Sequence, residues 1–169
     1  MKNKRESNDK KLFNDIANNY VKKDLISYCR IARKQRLIRS IQGIRKPINN
    51  ILEVGCGAGF SADYLKGKFI NYVGVDYSKN LISYAIKHNS YKGVNFECLN
   101  INEFDTNFKF NVILMIGVLH HMPEPENAIN LLKKNLAPGG IIVVNEPQAG
   151  NPLISLLRKI RKKIDNDYS

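Results

Sequence analysis

The chain has 169 residues, of which 43% are hydrophobic and 25% charged, which suits one globular domain with its own core. The charged N-terminus lacks the apolar segment of a secretion signal, and no run of about 18 apolar residues predicts a membrane span. Three widely spaced cysteines without a CxxC pair indicate neither a disulfide framework nor a zinc site, so we expect a cytoplasmic protein and no metal.

The net charge of +12 lies in the flanks of the chain. Residues 1–50 hold 14 basic and 4 acidic residues, residues 51–150 hold 8 and 9, and residues 151–169 hold 5 and 2. A neutral centre argues against a nucleic-acid-binding core. Three interpretations of the basic flanks stay open: a solvated face, attraction to an anionic membrane or lipid-linked substrate, and, with least support, nucleic acid.

Residues 1–48 are predicted to form a basic helical cap. Within them, residues 15–43 are typical of one or two helices. Six residues near helical spacing predict one face that packs on the domain: Leu25, Tyr28, Cys29, Ala32, Arg36 and Leu37.

Residues 49–148 alternate between strand and helix patterns. Strands are predicted at 50–54, 69–75, 94–99, 111–117 and 141–146, and helices near 60–66, 81–89 and 126–136. Ser78 is a predicted N-cap, and Ala137–Gly140 a predicted turn after a helical stripe that ends at Leu136. Such βαβ units predict a three-layer α/β sandwich on a mostly parallel sheet. Residues 149–169 are predicted to form a basic amphipathic helix.

The strongest local signal is ILEVGCGAGF, residues 51–60, where a strand leads through glycines into a helix. Gly55, Gly57 and Gly59 permit positive φ and close approach of a ligand, and N–H groups at the helix start can bind an anion. The dinucleotide pattern GxGxxG would need glycine where Phe60 stands. Glu53 would repel a pyrophosphate but suits the cationic amino and sulfonium groups of S-adenosylmethionine, which the loop therefore favours.

Two further residues bear on this ligand. Asp76 follows Gly55 by 21 residues at the end of the next strand, where a carboxylate can accept both ribose hydroxyls. Cys56, within the loop, is interpreted as a small residue under the cofactor rather than as a nucleophile. Cys29 and Cys98 lie in apolar patterns and are predicted to be core residues.

With these motifs in order, the chain resembles the class I S-adenosylmethionine-dependent methyltransferases of the methyltransferase type 11 or ubiquinone-biosynthesis-like kind, from about Phe13 to Pro147. The resemblance implies transfer of a methyl group to a small-molecule, sugar or lipid-linked acceptor. It implies a cofactor site at the residues that match the family's motifs, namely Tyr20, Glu53, Gly55, Cys56, Gly57, Gly59, Asp76, Tyr77, Ser78, Asn100, Ile101 and Ile116.

Two positions depart from the family pattern. Asn100 stands where many relatives have an aspartate near adenine, and its amide oxygen can still accept a hydrogen bond. Asn111 replaces an acidic residue and is expected to be structural.

His120 and His121 follow the fourth strand, at the end of the sheet where ligands of such folds bind. Either is a candidate general base, although a structural role is an open alternative, because methyl transfer to a good nucleophile depends mainly on proximity and alignment.

The family fold ends in an antiparallel strand hairpin, whereas about 20 residues follow the fifth predicted strand. We therefore expect a C-terminally truncated chain that lacks this hairpin and leaves an apolar sheet edge. Self-association at that edge and peripheral membrane contact through the C-terminal helix are the predicted interactions. The alternative function is a non-catalytic methyltransferase-like module that acts through a partner.

Overall fold

A computed structural model describes residues 2–146 of the chain. It contains six α-helices and five strands in this order: α1 Lys2–Asp15, α2 Ala17–Leu25, α3 Ser27–Ile41, β1 Asn50–Val54, α4 Phe60–Tyr64, β2 Asn71–Asp76, α5 Lys79–His88, β3 Val94–Cys98, β4 Phe110–Ile116, α6 Pro125–Lys133 and β5 Leu136–Asn145. Short 3-10 helices span Ile101–Glu103 and Leu119–His121. None of the helices in this part of the chain is long and apolar enough to cross a membrane.

The five strands form one parallel sheet in the order β3-β2-β1-β4-β5. Successive residues of a strand point to opposite faces, so that Ile51 packs with α3, α4 and α5 while Leu52 packs with α6. Both side chains are almost fully buried. The predicted three-layer, Rossmann-like fold is therefore confirmed, and the described sheet is entirely parallel.

The start of β5 differs from the prediction. Leu136 belongs to β5 rather than to the stripe of α6, since it pairs with Phe110 of β4, and the predicted turn at 137–140 lies within the strand. The register jumps from this pair to Val112 opposite Ile141, which makes a bulge. Gly139 adopts a φ of 69° within it, a conformation that a glycine permits.

Residues 15–43 contain two helices, α2 and α3, within the predicted one or two, and a further helix, α1, precedes them from Lys2. Ile26 is extended between α2 and α3, and this break shifts the helical phase of the predicted face. Tyr28 is therefore 70% exposed and Leu25 46%, while Leu37 and Ile41 provide the buried contacts of α3.

Three other residues predicted to be buried differ from that prediction. Ala32 is exposed, Cys29 is half-buried and Cys98 is exposed. The first two lie on α3 beyond the break, and Cys98 is the last residue of β3, where the strand leaves the sheet.

A polar network attaches α3 to the carboxyl end of β5. The Arg36 guanidinium donates to the Asn145 side-chain oxygen at 2.8 Å and to its backbone carbonyl, and the Asn145 amide donates to Ser40 at 2.7 Å. This network places α3 beside the carboxyl ends of the strands, where ligands of parallel α/β folds bind.

β5 forms one edge of the sheet in the described residues, and Ile141 and Val144 are 38% and 45% exposed. The predicted C-terminal helix lies outside the described residues, and the division into segments 1–48, 49–148 and 149–169 stays a prediction.

Candidate functional site

The candidate site lies where β1 and β4 are neighbours and the strand order reverses, at the carboxyl ends of the strands. Two cavities of about 350 and 280 Å³ open there. Both are lined by the same central residues: Gly55, Asp76, Tyr77, Val118 and His121. The cavities therefore form two arms of one cleft.

The glycine loop borders the smaller cavity. Gly55, Gly57 and Gly59 have φ values of 71°, 53° and 76°, as their residue type predicted. A Cβ on Gly55 would lie 2.4 Å from Val118 Cγ2, and one on Gly59 would lie 2.8 Å from Phe96, so that close packing also requires glycine at both positions.

Most backbone N–H groups of this loop already have partners inside the protein. Those of Gly55 and Cys56 donate to the Val75 carbonyl, and that of Gly59 donates to the Cys56 carbonyl. The Gly57 N–H donates to the Asp76 carboxylate at 2.9 Å. These four groups are therefore not free to bind an anion, and the expected anion contact at the helix start stays a prediction.

Asp76 lies at the centre of the cleft, 9% exposed. Its second oxygen accepts the Ser78 N–H at 2.8 Å, and the Ser78 hydroxyl accepts the Leu81 N–H as the predicted N-cap of α5. Burial raises the pKa of Asp76, although both backbone N–H donors lower it. Each carboxylate oxygen has a further lone pair with which it can accept a ligand hydroxyl.

Glu53 lines the smaller cavity but is 3% exposed, with hydrogen bonds to both oxygens. Ser61 donates to one oxygen at 2.7 Å and the Tyr72 hydroxyl donates to the other. Burial raises the pKa of Glu53 to about 7, against the lowering effect of these donors. The side chain thus joins β1, just before the loop, to α4 and β2.

Cys56 is buried beneath the loop, and burial raises the pKa of its thiol well above the usual value. A buried thiol of this kind is unreactive, which agrees with the predicted packing role.

The larger cavity is lined by Asn100 and Ile101, as predicted for the adenine side. The Asn100 side-chain oxygen accepts the Asn102 N–H at 3.0 Å and so begins the following 3-10 helix. Asn111 lies outside both cavities and accepts the Asn50 N–H at 3.0 Å, which links β1 to β4 and confirms its structural role.

Helix α1 closes over the junction of the two cavities. The Phe13 ring lies edge-on to Tyr20, Tyr77 and His121, at centroid distances of 6.1, 6.2 and 5.2 Å. Asp9 contacts His121 Nδ1 at 3.4 Å, and burial, followed by the charge of His120, lowers the pKa of His121. The structure therefore places Tyr20, Tyr77 and His121 at the cleft, as predicted.

His120 is paired with Glu146, which follows β5. Glu146 accepts from His120 Nδ1 at 2.7 Å and, through its other oxygen, from the Val118 and Leu119 N–H groups at 2.8 Å each. Burial alone would raise the pKa of Glu146, but the His120 and backbone donors together hold it below the usual value. His120 and Ile116 both line the smaller cavity.

Among the polar residues that line or support the smaller cavity, Asp24, Arg33, Arg36 and Glu146 were not predicted as site residues. The first three belong to helices whose exposed faces carry many charges, so that no local pattern distinguishes them. Glu146 follows an apolar strand directly, and its position at a strand end is a signal that could have identified it.

Comparison with known proteins identifies the family of this chain. The family model described as a methyltransferase domain matches residues 46–168. The chain belongs to this family. A ubiquinone biosynthesis O-methyltransferase of Bradyrhizobium diazoefficiens is 28% identical over 115 residues, covering 67% of this chain and 44% of that protein. One of Coxiella burnetii is 30% identical over 94 residues, covering 54% and 40%.

Among solved structures, the N-methyltransferase NodS of Bradyrhizobium japonicum in complex with S-adenosyl-L-homocysteine has a TM-score of 0.60 and 26% identity. The match covers 70% of this chain and 62% of NodS. In both ubiquinone biosynthesis O-methyltransferases, by contrast, the match with this chain covers less than half of the relative's length.

Proposed function

We propose that the chain binds S-adenosylmethionine and transfers its methyl group to a small-molecule, sugar or lipid-linked acceptor. The observation that carries this proposal is the glycine loop beside the Asp76 carboxylate, where the Gly55, Cys56, Gly57 and Gly59 N–H groups already donate within the protein. Asp76 can still accept the ribose hydroxyls of the cofactor, whereas a pyrophosphate would find these four donors occupied and would meet negative charge at Asp76.

The two arms of the cleft suit the two ends of the cofactor. Asp76 would accept the ribose hydroxyls at the junction, and Asn100 and Ile101 would border adenine in the larger arm. The methionine end would then lie in the smaller arm, against Gly55 and Gly57. Cys56 and Gly59 belong to the same loop, Glu53 precedes it, and Tyr77 and Ser78 follow Asp76. Tyr20 and Ile116 line the arm that would hold the methyl group.

The relatives' names support this chemistry without deciding the acceptor atom. Those in Bradyrhizobium diazoefficiens and Coxiella burnetii are named O-methyltransferases, and NodS is an N-methyltransferase with S-adenosyl-L-homocysteine bound. Both hydroxyl and amine acceptors are therefore consistent with these relatives.

We further propose His120 as the general base, with His121 packed beside it. As methyl transfer forms the new bond from carbon to the acceptor oxygen or nitrogen, the acceptor must lose a proton, and His120 Nε2 would accept it. Because a carboxylate accepts hydrogen bonds, Glu146 favours the tautomer with the proton on Nδ1. The carbon–sulfur electron pair stays on sulfur, so that S-adenosylhomocysteine is the second product.

Calorimetric titration with S-adenosylhomocysteine tests the cofactor assignment. We expect saturable binding by the full chain and no binding of reduced nicotinamide dinucleotide; the reverse result would refute the proposal. Incubation with S-adenosylmethionine carrying a labelled methyl group and fractionated acceptor pools then tests transfer.

A second candidate is a non-catalytic module that acts through a partner at β5. Exposure of Ile141 and Val144 on this edge strand, within the described residues, favours it. Cofactor binding without label transfer to any pool would support this candidate, and sedimentation analysis would show whether a second copy of the chain is the partner.

A further inference from the structure

The corner between α2 and α3 holds an ion pair beside the cleft, between the buried Asp24 and the partly exposed Arg33. Arg33 Nε lies 2.9 Å from Asp24 Oδ1, and the Arg33 guanidinium also donates to the Tyr20 hydroxyl at 3.0 Å. The same guanidinium lies 5.1 Å from the centroid of the Tyr20 ring. Tyr20 in turn lies next to the glycine loop, since its Cε1 would be 4.0 Å from a Cβ on Gly57. The pair is thus connected to the loop through one aromatic side chain.

Asp24 is 2% exposed, and its second oxygen, Oδ2, has no hydrogen-bond partner within residues 2–146. A buried carboxylate oxygen without a donor is unfavourable, because the hydration that it lost is not replaced. Asp24 lines the smaller arm of the cleft together with Gly57 and Tyr20. The oxygen therefore belongs to a residue that a ligand in this arm can reach.

The charge around Asp24 restricts what such a ligand can be. Arg33 and Lys23 lower the pKa of Asp24, but burial dominates and raises it to about 6. These two cationic neighbours therefore leave the ionised form of Asp24 undercompensated. An ammonium group would provide both the missing donor and a positive charge, whereas a hydroxyl would provide the donor alone and a carboxylate or phosphate would repel.

We propose that Asp24 Oδ2 is the docking point for a protonated primary amine in the smaller arm of the cleft. This inference rests on the proposed function, since two sources of such a group would enter this arm. One is the amino group of the cofactor's methionine end, and the other is an amine-bearing acceptor. Arg33 acts as a positioning residue, because it holds Asp24 Oδ1 and leaves Oδ2 for the ligand.

Paired titrations of the full chain test the proposal. S-adenosylhomocysteine carries the amine, and 5′-methylthioadenosine has the same nucleoside without it. If the cofactor is the source, Asp24→Asn lowers affinity for the first about tenfold or more and leaves affinity for the second unchanged. The matched control is Asp63→Asn, which neutralises an exposed carboxylate on neighbouring α4 and should alter neither affinity.

If the acceptor is the source, both nucleosides bind Asp24→Asn and the wild type equally. Propylamine then binds the wild-type complex with S-adenosylhomocysteine, 1-propanol does not, and Asp24→Asn abolishes propylamine binding. Equal nucleoside affinities together with no amine binding overturn the Asp24 proposal and leave the cofactor assignment intact. Failure of the wild type to bind either nucleoside overturns the cofactor assignment and, with it, the Asp24 proposal.

A wild-type measurement covers the case in which Asp24→Asn does not fold. Carbon-13 NMR follows the ionisation of Asp24, and an ammonium at Oδ2 lowers its pKa. We expect a fall with S-adenosylhomocysteine but not with 5′-methylthioadenosine, or a fall with added propylamine. An unchanged Asp24 pKa with all three overturns the proposal.

Discussion

The Asp76 carboxylate accepts the backbone N–H of Gly57 at 2.9 Å, so that the end of β2 holds the glycine loop from below. The same carboxylate accepts the Ser78 N–H, which starts α5. A single side chain thus fixes the loop and the first turn of a helix, and it lies at the junction of both arms of the cleft. This structural role and the proposed ligand-binding role fall on the same residue.

Substitution of Asp76 should therefore affect binding and stability together. Asp76→Ala leaves the Gly57 and Ser78 N–H groups without their acceptor and should cost about 1–3 kcal/mol of unfolding free energy. Affinity for S-adenosylhomocysteine should fall at least about tenfold, because the proposed ribose contacts are lost as well. Asp76→Asn keeps an acceptor and should recover part of the stability. Denaturant titration and calorimetry measure the two effects, and unchanged affinity in Asp76→Ala would remove Asp76 from the ligand site.

Gly55→Ala tests whether the loop needs glycine for space as well as for conformation. Gly67 has a similar positive φ of 80°, but a Cβ there would meet nothing within 4 Å, so Gly67→Ala reports conformational strain alone. We expect about 1–2 kcal/mol of destabilisation in Gly67→Ala. Gly55→Ala should lose a further 1–3 kcal/mol or so from the clash with Val118, along with cofactor affinity. Thermal unfolding compares the stabilities of the two variants. Equal destabilisation of both would show that the Val118 side chain moves away from the added Cβ at no cost.

Glu53 predicts a specific dependence of stability on pH. Its pKa of about 7 in the fold lies above the model-compound value of 4.5, so the folded state binds more protons between these two values. Stability is therefore greatest below about pH 4.5 as far as this group is concerned, falls as pH rises towards 7, and is constant above. Integrated from pH 4.5 to pH 7, the loss of unfolding free energy amounts to about 3 kcal/mol.

Glu53→Gln should remove this contribution, because the amide does not titrate and the Ser61 and Tyr72 hydroxyls can rotate to pair with it. Unfolding free energies at pH 5 and pH 8 should then differ less in the variant than in the wild type. Asp24, with a pKa of about 6, retains a dependence of the same sign in both proteins, so the comparison isolates Glu53. An identical pH dependence in both would show that Glu53 is ionised throughout.

The parts of the fold and site that local patterns encode could be predicted from the sequence. Alternating strands and helices predicted the sheet, and the spacing from Gly55 to Asp76 predicted the cleft. Local patterns do not reveal which groups pair across the fold. The Asp76 carboxylate accepts the Gly57 N–H within the loop, and this hydrogen bond depends on the pairing of β1 with β2. The prediction that Leu136 belongs to a helix was wrong for the same reason, because the spacing of Leu136 is helical but its pairing with Phe110 of β4 places it in β5.

Phe13 should contribute to ligand affinity through the closure of α1 over the cleft. Phe13→Ala removes three edge-on ring contacts, with Tyr20, Tyr77 and His121, and opens the cleft to water. Affinity for S-adenosylhomocysteine should fall several-fold. Leu12→Ala is the matched control, since Leu12 precedes Phe13 on the same helix and is 50% exposed. Calorimetry compares the two variants, and equal affinities would show that α1 does not close over the ligand.

Glu146→Gln should reverse the tautomer of His120. A glutamine oxygen can still accept the Val118 and Leu119 N–H groups, but its NH2 then faces His120 Nδ1, which must become an acceptor. The proton moves to Nε2, and the proposed base can no longer accept a proton there. Nitrogen-15 NMR of the His120 ring should show this change of tautomer.

Methyl transfer should fall about tenfold or more in the same variant with unchanged affinity for S-adenosylhomocysteine. Glu126→Gln, on the exposed first turn of α6, serves as the control and should change neither the His120 tautomer nor the rate of methyl transfer. A reversed tautomer with full transfer activity would show that His120 is structural, because a base that has lost its acceptor nitrogen cannot sustain the rate.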